Sequence, residues 1–80
     1  MKAGYLVANW IVNSMKARGV NQTISILAAS IGYGTARFFV TTVVKVGATA
    51  AATTIATYFG AGGSLAGPLG WIVGTASGWL

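Results

Sequence analysis

Five side chains carry all the side-chain charge in this sequence: Lys2, Lys16, Arg18, Arg37 and Lys45. No Asp, Glu, His or Cys accompanies them, so the formal charge is +5 with no internal counter-charge. Ammonium and guanidinium groups without carboxylates are suited to one kind of chemistry, the neutralisation of external anions. The candidates are nucleic acid phosphates and anionic lipid headgroups. The same inventory predicts that the chain is not an enzyme. Carboxylate pairs, Ser/His/Asp sets and Cys/His sets cannot be built, and only Lys and Tyr remain as general bases. No catalytic residue, metal site, disulfide or cofactor is expected, because the ligands they need are missing.

The spacing of the cations predicts where they sit. At 100° per residue, Lys2, Asn9, Asn13 and Lys16 fall within one narrow stripe, with apolar residues around the rest of the turn. A helix over about 3–18 follows, ending at Arg18-Gly19, where glycine takes a left-handed conformation cheaply and cations suit the helix C-terminus. Asn21 or Thr23 is expected to cap a long helix over about 22–59. In it Thr23, Ser30, Arg37, Thr41 and Lys45 share a face, with Ala48 and Ala52 continuing the line. Gly32-Tyr33-Gly34 and Gly47 are candidate breaks. The β-branched run Val40–Val44 also admits a strand, but its neighbours lack period-two alternation.

A loop is expected over 60–67 and a short helix over 68–80, with Pro68 in its first turn. Small residues recur at Ala66, Gly70, Gly74 and Gly78, and again at Ala28, Gly32 and Ala36, the spacing that lets apolar helices pack closely. The almost pure Ala/Thr tract 48–57 is narrow enough for the same purpose. Together these predict an all-α fold in one helical domain spanning 1–80, a helical hairpin of long apolar helices turned within 61–67 and stable only in an assembly.

Composition points the same way. The chain has 80 residues, 55% of them hydrophobic and only 6% charged, where a water-soluble domain normally carries about a quarter charged residues. Some cover is expected for that surface, either lipid or further copies of the chain. Trp10, Trp71 and Trp79 suit a membrane-interface belt or burial between subunits. Tyr33, Phe38, Phe39, Tyr58 and Phe59 read as packing residues, and Gly32-x-Gly34 lacks the third glycine and acidic partner of a dinucleotide fingerprint. Asn21-Gln22-Thr23 matches a glycosylation sequon, and the threonines are candidates for decoration. Met1-Lys2 with the apolar run to Val12 imitates a secretion signal, but Asn9 interrupts it, so Met1 is expected in the mature chain.

Size, helicity, apolarity and the basic stripe resemble the small all-helical major coat proteins of filamentous and rod-shaped viruses, especially rod-shaped archaeal viruses with double-stranded DNA. That resemblance implies a structural subunit of the virion that polymerises around the genome. Arg37 and Lys45 would then face the phosphates, with Lys2, Lys16 and Arg18 as further nucleic-acid contacts and the small-residue ridges packing neighbours. The acidic outer end of bacterial filamentous-phage coats has no counterpart here. The run Thr23-Ile24-Ser25-Ile26-Leu27 and the Gly/Ala-rich stretch after it look like circular bacteriocins, which implies instead a secreted, membrane-permeabilising bundle of short helices. A conjugation-type pilin, two apolar helices around a basic turn, is the third reading, although Arg37–Lys45 lies within a helical pattern.

Overall fold

Glycine sets the architecture. In a computed structural model, which describes residues 2–60 and 69–72, the chain is all-α: α1 spans Lys2–Arg18, α2 Val20–Ile31 and α3 Tyr33–Gly60, followed by a single helical turn at 70–72 closed by Ile72 N–H to the Leu69 carbonyl (3.0 Å). Between consecutive helices stands one residue, Gly19 and then Gly32, and α3 departs from helical geometry only at Gly47. All three glycines have φ between 86° and 88° and ψ between 154° and 168°. This is the extended region of positive φ that only glycine enters without strain, rather than the left-handed helical region expected at Gly19.

Each of the first two glycines serves two helices. Gly19 N–H donates to the Met15 carbonyl (2.9 Å) while the Gly19 carbonyl accepts from Thr23 N–H (3.2 Å). Gly32 repeats the pattern, donating to Ala28 (2.9 Å) and accepting from Ala36 (3.0 Å). Backbone groups that a helix end would leave unpaired are thereby used across the corner. No side chain caps α2, so Asn21 and Thr23 are first-turn residues and not caps.

The single long helix expected over 22–59 is therefore three helical segments. Unbroken, it would be about 57 Å long at about 1.5 Å per residue, whereas the molecule measures 28 × 25 × 22 Å. At Gly47 the chain folds back: the rings of Phe38 and Tyr58, which a straight helix would hold about 30 Å apart, lie 6.0 Å apart. The radius of gyration is 11.2 Å, against about 11.6 Å for a compact domain of this length. Val40–Val44 is helical, not a strand.

Helical spacing of the buried residues explains the packing. Val7, Ala8 and Ile11 on α1 meet Leu27 on α2, and both meet Ala36, Phe39, Val40 and Val43 on α3, a pattern of i, i+3, i+4 and i+7. After the fold-back, Ala51, Ala52 and Ile55 close over α1, and Leu69 and Ile72 complete the core. The tightest crossing is at Gly4. A Cβ there would collide with the Ala52 carbonyl oxygen and come within 2.9 Å of the Ala56 Cβ. Only a hydrogen lets α1 and 48–60 approach this closely.

Two of the expected small-residue ridges look different in this fold. Ala28, Gly32 and Ala36 do not form one ridge, because Gly32 is the joint between two helices; Ala28 is half-buried against the core and Ala36 fully buried. Around Gly70 a Cβ would meet nothing within 4 Å among the described residues. Ala66, Gly74 and Gly78 lie outside the described residues, as do Trp79 and the expected turn over 61–67.

Candidate functional site

The outward side of the segment 33–46 brings two of the five cations together with exposed apolar side chains. Its inward residues Ala36, Phe39, Val40 and Val43 are buried, which leaves Arg37, Phe38, Thr41, Val44, Lys45 and Val46 exposed. Arg37, Thr41 and Lys45 follow one another at i, i+4 and i+8, so the two cations stand about 12 Å apart along one helix face. Phe38 and Val44 are 43 and 63% exposed beside them. Large apolar groups left in solvent next to cations are not what a packed interior explains.

Between these side chains lies a shallow open groove of about 430 Å³, lined by Phe38, Thr41, Thr42, Val44 and Lys45. The threonine hydroxyls are already engaged. Thr41 Oγ1 donates to the Arg37 carbonyl (2.8 Å) and lies 3.1 Å from that of Phe38, while Thr42 Oγ1 donates to the Phe38 carbonyl (2.7 Å). Below the groove, Phe38, Phe39 and Tyr58 form an aromatic cluster with ring centroids 5.1 to 6.3 Å apart, tying the segment 33–46 to the returning half of α3.

The remaining sequence-predicted cations are dispersed. Lys16 and Arg18 are exposed at the end of α1, and α1 runs from Lys2, whose side chain is outside the described residues. Arg18 Nη1 donates to Ser14 Oγ (2.6 Å), and Ser14 Oγ lies 2.8 Å from Thr23 Oγ1. Thr23 Oγ1 in turn donates to the Gly19 carbonyl (2.8 Å), so the shared bond runs from Ser14 to Thr23. Ser14 and Thr23 are 3% and 0% exposed, yet no described buried side-chain polar atom lacks a partner. The Ser14–Thr23 bond fixes the α1–α2 corner, and the Arg18 guanidinium folds back along α1 onto Ser14. The expected face Thr23, Ser30, Arg37, Thr41, Lys45 is thus divided at Gly32: Thr23 is interior, Ser30 accepts from Trp71 Nε1–H (3.0 Å), and only the last three form a solvent row.

Trp71 also packs edge-on against Trp10, with centroids 5.2 Å apart and planes at 90°. The pair fastens the turn at 70–72 to α1 and α2, a T-shaped contact favoured by the ring quadrupoles. Sequence reasoning missed Phe38, Thr42 and Val44 as groove residues. Their signal was present in the phase of the segment: with Ala36, Phe39, Val40 and Val43 assigned inward, residues 38, 41, 44 and 45 must point out.

No group of His, Cys, Asp or Glu that could hold a metal occurs among the described residues. Comparisons with protein families, with curated proteins and with solved structures find no match for this chain. Its function is read from the chemistry of this face.

Proposed function

We propose that the protein is a cationic, membrane-active helical bundle that docks on anionic lipid through the outward face of 33–46 and perturbs the bilayer, acting as a secreted or membrane-associated peptide of the kind that circular bacteriocins represent. One observation carries this reading: Arg37 and Lys45 stand on the same exposed helix face as Phe38 and Val44. A lipid surface satisfies both components at once, since headgroup phosphates take the charge and the acyl boundary takes the apolar groups. α3 adds support, because the stretch Tyr33–Tyr58 is long and apolar enough, by length and composition, to cross a membrane.

A second reading, the coat subunit, draws on the same cation row. Arg37 and Lys45 could follow a phosphate backbone, preferably of double-stranded DNA, with many copies covering each other's exposed apolar groups in a hairpin-based helical assembly. Exposed Phe38 and Val44 beside the cations favour lipid over a hydrated phosphate groove, while a cation row lying within the helical segment 33–46 and not in a turn speaks against the pilin reading.

The test is binding and dye release with phosphatidylcholine vesicles, with and without an anionic lipid, beside a nuclease-protection assay on DNA. The membrane reading expects binding and leakage only with anionic lipid, weakening as salt rises. Protected DNA without leakage would replace it with the coat reading.

A further inference from the structure

Resting on the membrane reading, the groove on 33–46 would meet lipid headgroups with a particular set of polar groups. Its polar groups are sorted by sign and by hydrogen-bond role. Lys45 brings a positive charge and three donors without an acceptor. Thr41 and Thr42 bring the opposite. Their hydroxyl hydrogens are committed to the carbonyls of Arg37 and Phe38, at 2.8 and 2.7 Å, so their oxygens have only lone pairs left to offer. The flanks, Phe38 and Val44, are apolar and exposed. The groove therefore matches a molecule with an anion, hydrogen-bond donors about one helical turn away, or about 5 Å, and a hydrocarbon part.

A bare phosphate meets only the first of these demands, and extra anionic oxygens would face the threonine lone pairs. We propose that the groove binds the headgroup of phosphatidylglycerol within a bilayer, with phosphate oxygens on Lys45 Nζ, glycerol hydroxyls donating to Thr41 and Thr42 Oγ1, and the upper acyl chain against Phe38 and Val44. Phosphatidylglycerol supplies each of these parts: a monoanionic phosphodiester, neutral hydroxyl donors next to it and an acyl chain. The overall charge of +5 without any acidic side chain brings the groove to such a surface, and the hydroxyl contacts select among the anionic lipids found there.

The experiment compares phosphatidylcholine vesicles containing equal shares of phosphatidylglycerol or of phosphatidylmethanol, which has the same phosphodiester charge and no hydroxyl donor. Partitioning is read by intrinsic tryptophan fluorescence or flotation. The unaltered chain should prefer phosphatidylglycerol by about fivefold or more, the worth of one to two hydrogen bonds. Thr41→Val with Thr42→Val, which keeps the β-branched shape, should bind both vesicles equally. Thr41→Ser with Thr42→Ser should restore the preference, and Lys45→Gln should weaken both. Equal partitioning of the unaltered chain overturns the inference without any variant, and so does a preference that survives the valine pair. Binding to neither anionic vesicle would overturn the membrane reading along with it, whereas binding to both without preference overturns the inference alone.

Discussion

The two halves of α3 have similar lengths and opposite duties. Upstream of Gly47, 33–46 carries bulky and cationic residues and turns Arg37, Phe38, Thr41, Val44 and Lys45 to solvent. Downstream, 48–60 is mostly Ala and Thr, and it presses Ala52 and Ala56 against Gly4 of α1. Small side chains let two backbones come together, so the second half is a packing surface. Large ones leave width to spare, so the first half both fills the core with Phe39 and Val43 and displays a second face outward. Close packing in one half thus holds the exposed face of the other in place, with the Phe38–Phe39–Tyr58 cluster joining them.

The sharpest way to break this division is Gly4→Leu. The side chain would have to occupy space held by the Ala52 carbonyl, and a stability loss of about 3 kcal/mol is expected, the upper range for overpacking. Chemical denaturation followed by circular dichroism measures it. A loss below about 0.5 kcal/mol, the level of an unremarkable surface change, would mean that α1 and 48–60 do not pack closely.

Gly47→Ala attacks the joint itself. Nothing crowds a Cβ there, so the whole effect comes from the backbone: alanine disfavours φ near 86° by about 1–3 kcal/mol and prefers the helix by about 1 kcal/mol. Lower thermal stability with equal or greater helicity and a larger radius of gyration is expected, since straightening separates Tyr58 from Phe38. Small-angle scattering reads the size. An unchanged radius with unchanged stability would contradict a fold-back that depends on glycine.

Ser14→Ala should cost about 1 kcal/mol, because Arg18 loses its acceptor and Thr23 its buried donor while the Thr23 bond to Gly19 survives. Thermal melts check it, and their comparison with the Gly47 variant separates the polar corner from the glycine joint.

Much of this arrangement was legible in the residue types. The breaks at Gly32 and Gly47 were marked by their glycines, the end of α1 by Arg18-Gly19, and the close-packing character of 48–57 by its Ala and Thr content. What periodicity does not contain is the partner. The Gly4 crossing joins residues almost fifty positions apart, and a single small residue near the start of α1 gives no sign of what will lie over it. Ser14 and Thr23 defied reading for a related reason. A hydroxyl on an otherwise apolar helix suggests solvent, unless a second hydroxyl from the next helix is known to meet it. Within the candidate site the Arg37–Thr41–Lys45 row followed from spacing, but its extension back to Thr23 and Ser30 assumed a helix continuous through Gly32.

The smallest structural effect is expected at the outward face. Val44→Ser should change folding stability by less than about 0.5 kcal/mol, since Val44 is 63% exposed. Yet it should weaken binding to anionic vesicles by about fivefold, as roughly 1 kcal/mol of apolar burial is lost. Equal effects on both measurements would erase the distinction between a packing half and a binding half.

The absence of native cysteine permits the most direct test of that distinction, a single environment-sensitive fluorophore on Val44→Cys or on Thr53→Cys, one exposed position in each half of α3. On addition of vesicles containing phosphatidylglycerol, the label at position 44 should shift to shorter wavelength and become protected from an aqueous quencher, while the label at position 53 stays accessible. Protection at position 53 with none at position 44 would contradict the assignment of the binding face to 33–46.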